Sequence, residues 1–259
     1  MRNKYILIAS TNDRFDMLKD CLNSINEYVK GWDVIIVGQE YSSKEVESIQ
    51  ELISKSSMVL SLKKKIGMHN AKMVGLEHIK KLSDSYVVCS SDDDMVFTEK
   101  TKFEEALIKL SDENVGFVSL GWVKHRNQLE SYKMVDAFVK QDIVYTGGGM
   151  LFTDKLTEIL LNEPRLEYIC DNSLWSVLSY INGYKNYRYR GSCTIHNICQ
   201  LGGRRTWLKI GNKVLGREDL IDYKKSAYTD KNPNDYLIPS SKDISSFAKE
   251  LHTINLKKS

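Results

Sequence analysis

At 259 residues with 42% hydrophobic content, the chain can bury a substantial core as one α/β unit, alone or with an appendage. A net charge of +3 demands neither a nucleic-acid nor a membrane partner, although the Lys63-Lys64-Lys65 run can touch phosphates locally. The five cysteines (Cys21, Cys89, Cys170, Cys193, Cys199) contain no CxxC pair, and their odd number leaves at least one unpaired, which suits reduced thiols. The apolar run from Tyr5 to Ala9 is too brief for a secretory signal or a bilayer span, so a soluble cytoplasmic protein with no integral membrane segment is expected.

Tyr5 to Ser10 reads as a buried first strand that ends in Ser-Thr-Asn-Asp, side chains that terminate strands and cap helices. Phe15, Leu18, Leu22, Ile25 and Val29 then repeat at steps of three and four, which puts one apolar stripe on a helix that Gly31 stops. Asp33 to Gly38 is a second strand, and Ser42 with Glu45 makes a capping-box pattern ahead of Val46, Ile49, Leu52 and Ile53. Met58 to Leu62 reads as a third strand, Asn70 to Lys81 as a helix, and Tyr86 to Ser90 as a strand running into Asp92-Asp93-Asp94.

Farther on, Thr101 and Glu104 offer another capping box for a helix to about Leu110, and Val115 to Trp122 is a strand. Asp142 to Phe152 carries Gly147-Gly148-Gly149, Asp171 to Ile181 is predicted helical with Gly183 at its end, and Tyr187 to Ile195 is extended. From Asn197 onward, through Gly202-Gly203-Arg204-Arg205, a mobile connection leading to a polar C-terminal segment with one helix is expected; there are no internal repeats or low-complexity linkers. Strands alternating with helices imply right-handed crossovers and a mostly parallel sheet.

Three adjacent carboxylates repel unless a cation or bound protons relieve them. Acid runs are most often solvated loops, but this one stands at a strand end, where ligands bind in open α/β sheets. A hard ion such as Mn²⁺ or Mg²⁺ takes one or two carboxylates plus substrate phosphate oxygens, which suits a phosphate-bearing donor. Asp92 and Asp94 would extend alternately from the strand end, letting one approach a ribose or a metal-bound water while the other holds the ion.

The stretch Ile66 to Leu76 (IGMHNAKMVGL), followed after one helix by YVVCSSDDDM, resembles the nucleotide-sugar half of GT-A glycosyltransferases, especially the family-2-like group. Gly67, Ala71, Lys72, Gly75 and the DxD-type triplet Asp92-Asp93-Asp94 match that group's order, and the resemblance covers roughly residues 4 to 200. It implies an α/β GT-A (Rossmann-like) fold, a mostly parallel central sheet flanked by helices with an irregular C-terminal extension. Residues 1–200 would form the catalytic domain, the nucleotide-sugar half to about 98 and the acceptor half from about 99, with 201–259 a lid and helical extension.

The same resemblance implies donor contacts from Ser10, Thr11, Asp13, Gly67, Lys72, Asp92 and Asp93, with Arg204 and Arg205 on the departing diphosphate or merely in a solvated basic loop. Where the family places an acid to bind the base, this chain reads Gly38-Gln39-Glu40, so Glu40, or Gln39 in its stead, would serve. Gly147, Gly148, Gly149 and Trp207 would line the sugar and acceptor side, the glycines otherwise marking a bulge or tight sheet contact. Gln200 to Trp207 is similar to the Gln, Arg and Trp of processive members without their spacing, and polymer synthesis is not inferred. Asp171 matches the general base of inverting members, or is an N-cap; His196 matches a late metal ligand beside Asp92 and Asp94, or is structural.

The implied activity is transfer of a sugar, hexosyl or pentosyl, from a nucleoside-diphosphate sugar (a UDP-sugar favoured) to an acceptor hydroxyl, aided by Mn²⁺ or Mg²⁺. The acceptor is a saccharide or another hydroxyl-bearing molecule, modified DNA included. A nucleotidyltransferase and a noncatalytic nucleotide- or carbohydrate-binding protein are the rivals.

Overall fold

The computed structural model describes residues 2–66, 68–123, 126–141, 149–162, 173–196, 209–210 and 213–214. The chain begins with β1 (Asn3–Thr11), a 3-10 turn (Asn12–Arg14), α1 (Phe15–Tyr28), β2 (Asp33–Gln39), α2 (Ser43–Leu52), β3 (Met58–Leu62), α3 (Met68–Leu82) and β4 (Tyr86–Asp92). These strands pair in parallel in the order β3-β2-β1-β4. β1 lies inside the sheet with both faces covered, which is why it reads as an unbroken apolar run rather than an alternating one. Its side chains still divide by parity. Ile6 and Ile8 join a core with Leu18, Leu22 and Ile25 of α1 and Ile49 of α2. Tyr5, Leu7 and Ala9 face Ala71, Leu76 and Ile79 of α3 in a second core.

The second half changes the pairing rule. It comprises β5 (Met95–Val96), α4 (Glu104–Lys109), β6 (Val115–Val123), α5 (Arg126–Ser131), β7 (Phe138–Gln141), β8 (Met150–Thr153), α6 (Asp154–Leu161), α7 (Ser173–Ile181) and β9 (Lys185–His196). β8 inserts antiparallel between β4 and β6, and β9 then runs parallel to β6 while pairing antiparallel with β5 and β7. A register shift between Leu120 and Gly121 lets β9 bend, so that its last residues reach back to β5 and pair His196 with Met95. A short antiparallel pair, β10 (Lys209–Ile210) and β11 (Lys213–Val214), is the part of the C-terminal extension among the described residues. No described helix is long and apolar enough to cross a membrane.

The predicted Ser42–Glu45 capping box is present in full, with Ser42 Oγ accepting from the Glu45 N–H at 3.3 Å and Glu45 Oε2 accepting from the Ser42 N–H at 2.7 Å. The second predicted box is not. α4 starts with Phe103 as N-cap, and Thr101 Oγ1 instead donates to the Cys193 carbonyl at 2.9 Å, tying the α4 approach to β9. Short elements β5, α5, β7 and α6 have no counterpart in the expectations: two to eight residues carry too little periodicity to register.

Gly75 of the glycine-alanine-lysine pattern has a packing reason. A Cβ there would sit 2.3 Å from Leu7 Cδ1 and 3.1 Å from Val37 Cγ2, so its absence lets α3 lie close on β1 and β2. Gly75→Val is expected to lower stability by about 1–3 kcal/mol, the cost of overpacking a filled core. Urea denaturation at unchanged m-value reads this directly.

Candidate active site

The parallel strands β1, β2 and β4 end on one edge, and the sequence after each supplies polar side chains there. Asp92, Asp93 and Asp94 share that edge but not an environment. Asp93 is fully buried, and its carboxylate is surrounded by donors. Arg14 Nε reaches both of its oxygens at 2.8 and 2.9 Å, and Nη2 reaches Oδ1 at 2.5 Å. Ser10 Oγ donates to Asp93 Oδ2 at 2.5 Å, and Tyr41 Oη donates in turn to Ser10 Oγ at 2.8 Å. Asp93 and Ser10, expected among the donor contacts, are thus inner members of a buried network.

Arg14 also joins Asp94, with Nη2 at 2.9 Å from Oδ2. His196, carried by the end of β9, sets Nε2 3.2 Å from the same oxygen, and its ring stands edge-on to Trp122 with centroids 5.5 Å apart. The other oxygen, Asp94 Oδ1, is buried with no hydrogen-bond partner among the described residues. Asp92 turns outward with its side chain 33% exposed, and Lys72 of α3, only 1% exposed, donates to its Oδ1 at 2.7 Å.

The electrostatics follow the geometry. Burial opposes the charge on Arg14, but Asp93 and Asp94 outweigh it and hold the guanidinium above its ordinary pKa. Burial pushes the Asp93 carboxyl up, against the pull of Arg14. For Asp94 burial also raises the value, yet the His196 hydrogen bond and the Arg14 charge prevail and leave it below the usual aspartate range. Three neighbouring acids can coexist here because Arg14 serves Asp93 and Asp94 together, His196 adds to Asp94, and Lys72 serves Asp92.

At the β2 end, Gln39 is fully buried and its amide is used internally. Its Oε1 accepts from the Ile66 N–H at 2.8 Å, and its Nε2 lies 3.5 Å from the Ser10 carbonyl. Of the two candidates for base recognition, Glu40 is the exposed one, and it sits at φ 59°, a left-handed conformation that non-glycine residues rarely adopt. Lys65 Nζ stands 3.2 Å from Asp13 Oδ1 and 3.8 Å from Glu40 Oε2, and Thr11 Oγ1 donates to the same Asp13 oxygen. Thr11, Asp13, Glu40 and Lys65 therefore form one polar edge.

Gly149 is buried at φ 97°, where a Cβ would come 3.2 Å from Cys89 Sγ, and its carbonyl accepts from the Leu120 N–H at 3.0 Å. That is a tight contact between strands. Gly67, Gly147, Gly148, Asp171, Arg204, Arg205 and Trp207 lie outside the described residues. Arg14 and Tyr41 have no counterpart in the sequence expectations, and Lys65, expected only within a basic run that can touch phosphates, pairs with Asp13 and Glu40 instead. The available signal for Arg14 was the triplet itself, since a buried run of acids needs a cation, but nothing local says which one. Cys21, Cys89 and Cys193 are free and buried, and burial pushes the Cys89 thiol up to about 12.

Among the described residues no group of three or more His, Cys, Asp or Glu side chains converges on a common point for an ion. The donors do suit a partial site of the kind a phosphate ligand completes: Asp94 Oδ1 is buried and unpartnered, with the outward Asp92 at the other end of the triplet.

The chain has a GT-A-like α/β fold, with a curled nine-stranded sheet flanked by helices. No family model and no curated protein matches it. Among solved structures it is similar to the mannosyltransferase PcManGT from Pyrobaculum calidifontis in complex with GDP-Man and Mn²⁺, with a TM-score of 0.56 at 13% identity over 87% of this chain. The chain spans 61% of that structure's length.

Removing one partner of the buried Arg14–Asp93 pair leaves an unpaired charge inside the protein. Arg14→Met is expected to cost about 3–5 kcal/mol. The double variant Arg14→Met/Asp93→Asn should recover part of that loss, and a double-mutant cycle by chemical denaturation measures the coupling.

Proposed function

We propose that the protein is a metal-dependent glycosyltransferase that moves a sugar from a nucleoside-diphosphate sugar to an acceptor hydroxyl. The observation that carries this reading is Asp94 Oδ1, a buried carboxylate oxygen without a partner at the strand ends of a GT-A-like sheet. It is supported by the fold likeness to an enzyme solved with GDP-Man and Mn²⁺. Asp94, with Asp92 and His196 assisting, would hold Mn²⁺ or Mg²⁺, which when bound draws charge off the diphosphate leaving group.

Residues of this chain supply the rest. Thr11, Asp13 and Glu40 border the nucleoside end; carboxylates there accept from N–H groups of uracil or guanine alike, so UDP- and GDP-sugars both belong in the donor panel. Lys72 offers an ammonium to the donor beside Asp92. Asp171, on the strength of the sequence resemblance, takes the proton of the acceptor hydroxyl as it attacks, which makes the reaction inverting. Arg204 and Arg205 neutralise the departing diphosphate, and Gly147, Gly148 and Trp207 border the acceptor.

Two experiments test the reading. Asp94→Ala is expected to abolish Mn²⁺-dependent donor binding by calorimetry while leaving the thermal transition nearly in place, because Asp93 keeps its grip on Arg14. Retention of wild-type Mn²⁺-dependent affinity would remove the metal assignment. Asp171→Asn should preserve donor affinity but slow single-turnover transfer by about 10²- to 10⁴-fold, the contribution of a general base. Near-wild-type transfer would defeat Asp171 as base, and radiolabelled donors report whether sugar or nucleotide is moved.

A further inference from the structure

The triplet carries its own counter-ions. Arg14 matches Asp93 and touches Asp94, Lys72 matches Asp92, and His196 Nε2 stands 3.2 Å from Asp94 Oδ2; with the imidazole neutral, two side-chain cations against three carboxylates leave one negative charge uncompensated. The oxygen without a partner belongs to Asp94. A nucleotide-free site of this composition offers a divalent cation much less charge than its sequence suggests.

The Lys72–Asp92 pair is asymmetric in a way that matters. Lys72 is buried to 1% exposure inside α3 packing, whereas Asp92 is 33% exposed at the rim. A buried ammonium needs an anion beside it, while a rim carboxylate is stabilised equally well by water. Lys72 therefore depends on Asp92 more than Asp92 depends on Lys72, until another anion arrives.

We propose that Lys72 is a built-in counter-ion that competes with a divalent cation for Asp92, so that the cation is taken up together with a nucleoside diphosphate rather than before it. This rests on the donor-site reading above. The diphosphate supplies the missing anionic charge for both cations: Lys72 can exchange Asp92 for phosphate oxygen, and Asp92 is then released toward the cation held at Asp94. No bond is made or broken; the ion pairs exchange partners.

The test is a titration of Mn²⁺ into the full chain, with free Mn²⁺ read by electron paramagnetic resonance, alone and with GDP or UDP at saturation. For the native sequence, affinity should rise by at least about tenfold with one of the nucleotides, as expected when two charges are added at contact distance. Lys72→Met should move the two ligands in opposite directions, tightening Mn²⁺ alone by about tenfold and weakening the nucleoside diphosphate. A merely structural lysine would weaken both. Circular dichroism confirms that the variant is folded.

Lys72→Met/Asp92→Asn provides a second arm, since it removes both charges of the pair at once. It should cancel the gain of Lys72→Met, returning the affinity for Mn²⁺ alone close to the native value, whereas persistence of the tenfold gain would overturn the proposal. Tight Mn²⁺ binding by the native chain without nucleotide would overturn the counter-ion role and leave the donor-site reading standing. Absence of Mn²⁺ binding with either nucleotide would remove both.

Discussion

Everything at the strand ends depends on the buried pair of Arg14 and Asp93. Taking a guanidinium and a carboxylate out of water is costly, and the cost is offset only when their hydrogen bonds are nearly complete. Here they are: Arg14 donates three times to Asp93 and once to Asp94, and Ser10 fills the remaining position on Asp93. The pair joins the turn after β1 to the turn after β4, and through Ser10 and Tyr41 it also holds the segment leading into α2. Its value is positional. With the middle acid locked inward at the turn after β4, Asp92 at the strand end takes Lys72 as its partner, while Asp94 shares Arg14 with Asp93 and adds His196.

This division resolves the electrostatic difficulty that three consecutive carboxylates pose. Repulsion among them is relieved within the chain, so a metal is not needed to fold the site; a single buried Asp94 oxygen is what remains to be satisfied. The fold therefore does not stand or fall with a cation, while the chemistry proposed for it does. Asp94 is also one point at which the two halves of the chain meet, beside the β4–β8 pairing. His196 reaches it from β9, the last strand of the main sheet, by virtue of the bulge that bends β9 toward β5. A change in the second half can thus alter the acid site through one imidazole.

The edge around Gln39 and Glu40 is organised by backbone rather than by charge. Gln39 ties the approach to α3 onto β1 and β2 with its amide, which leaves Glu40 as the residue that projects outward. The left-handed backbone at Glu40 costs something on the order of 1 kcal/mol, and such strain persists where surrounding structure over-determines it. The parallel hydrogen bond from Glu40 N–H to the Leu62 carbonyl at 2.8 Å is part of that surrounding structure. Lys65, drawn between Asp13 and Glu40, closes the same edge.

What the amino-acid sequence determined unaided is what rests on near neighbours. The unbroken apolar runs of β1, β2 and β4, the helical stripe of α1, the Ser42–Glu45 cap and the arrival of the acids at a strand end all follow from contacts within a few residues or from burial of a whole strand. Tertiary structure alone decided the rest. Thr101 abandons its expected cap because the carbonyl it bonds belongs to Cys193, 92 residues away. Asp93 is a buried strut and Asp94 keeps one unpartnered oxygen among the described residues because the arginine between them comes from 79 and 80 residues earlier. The antiparallel insertion of β8 between β4 and β6 has the same origin, since strand order is fixed by which long-range pairing buries both sheet faces and leaves no trace in local periodicity.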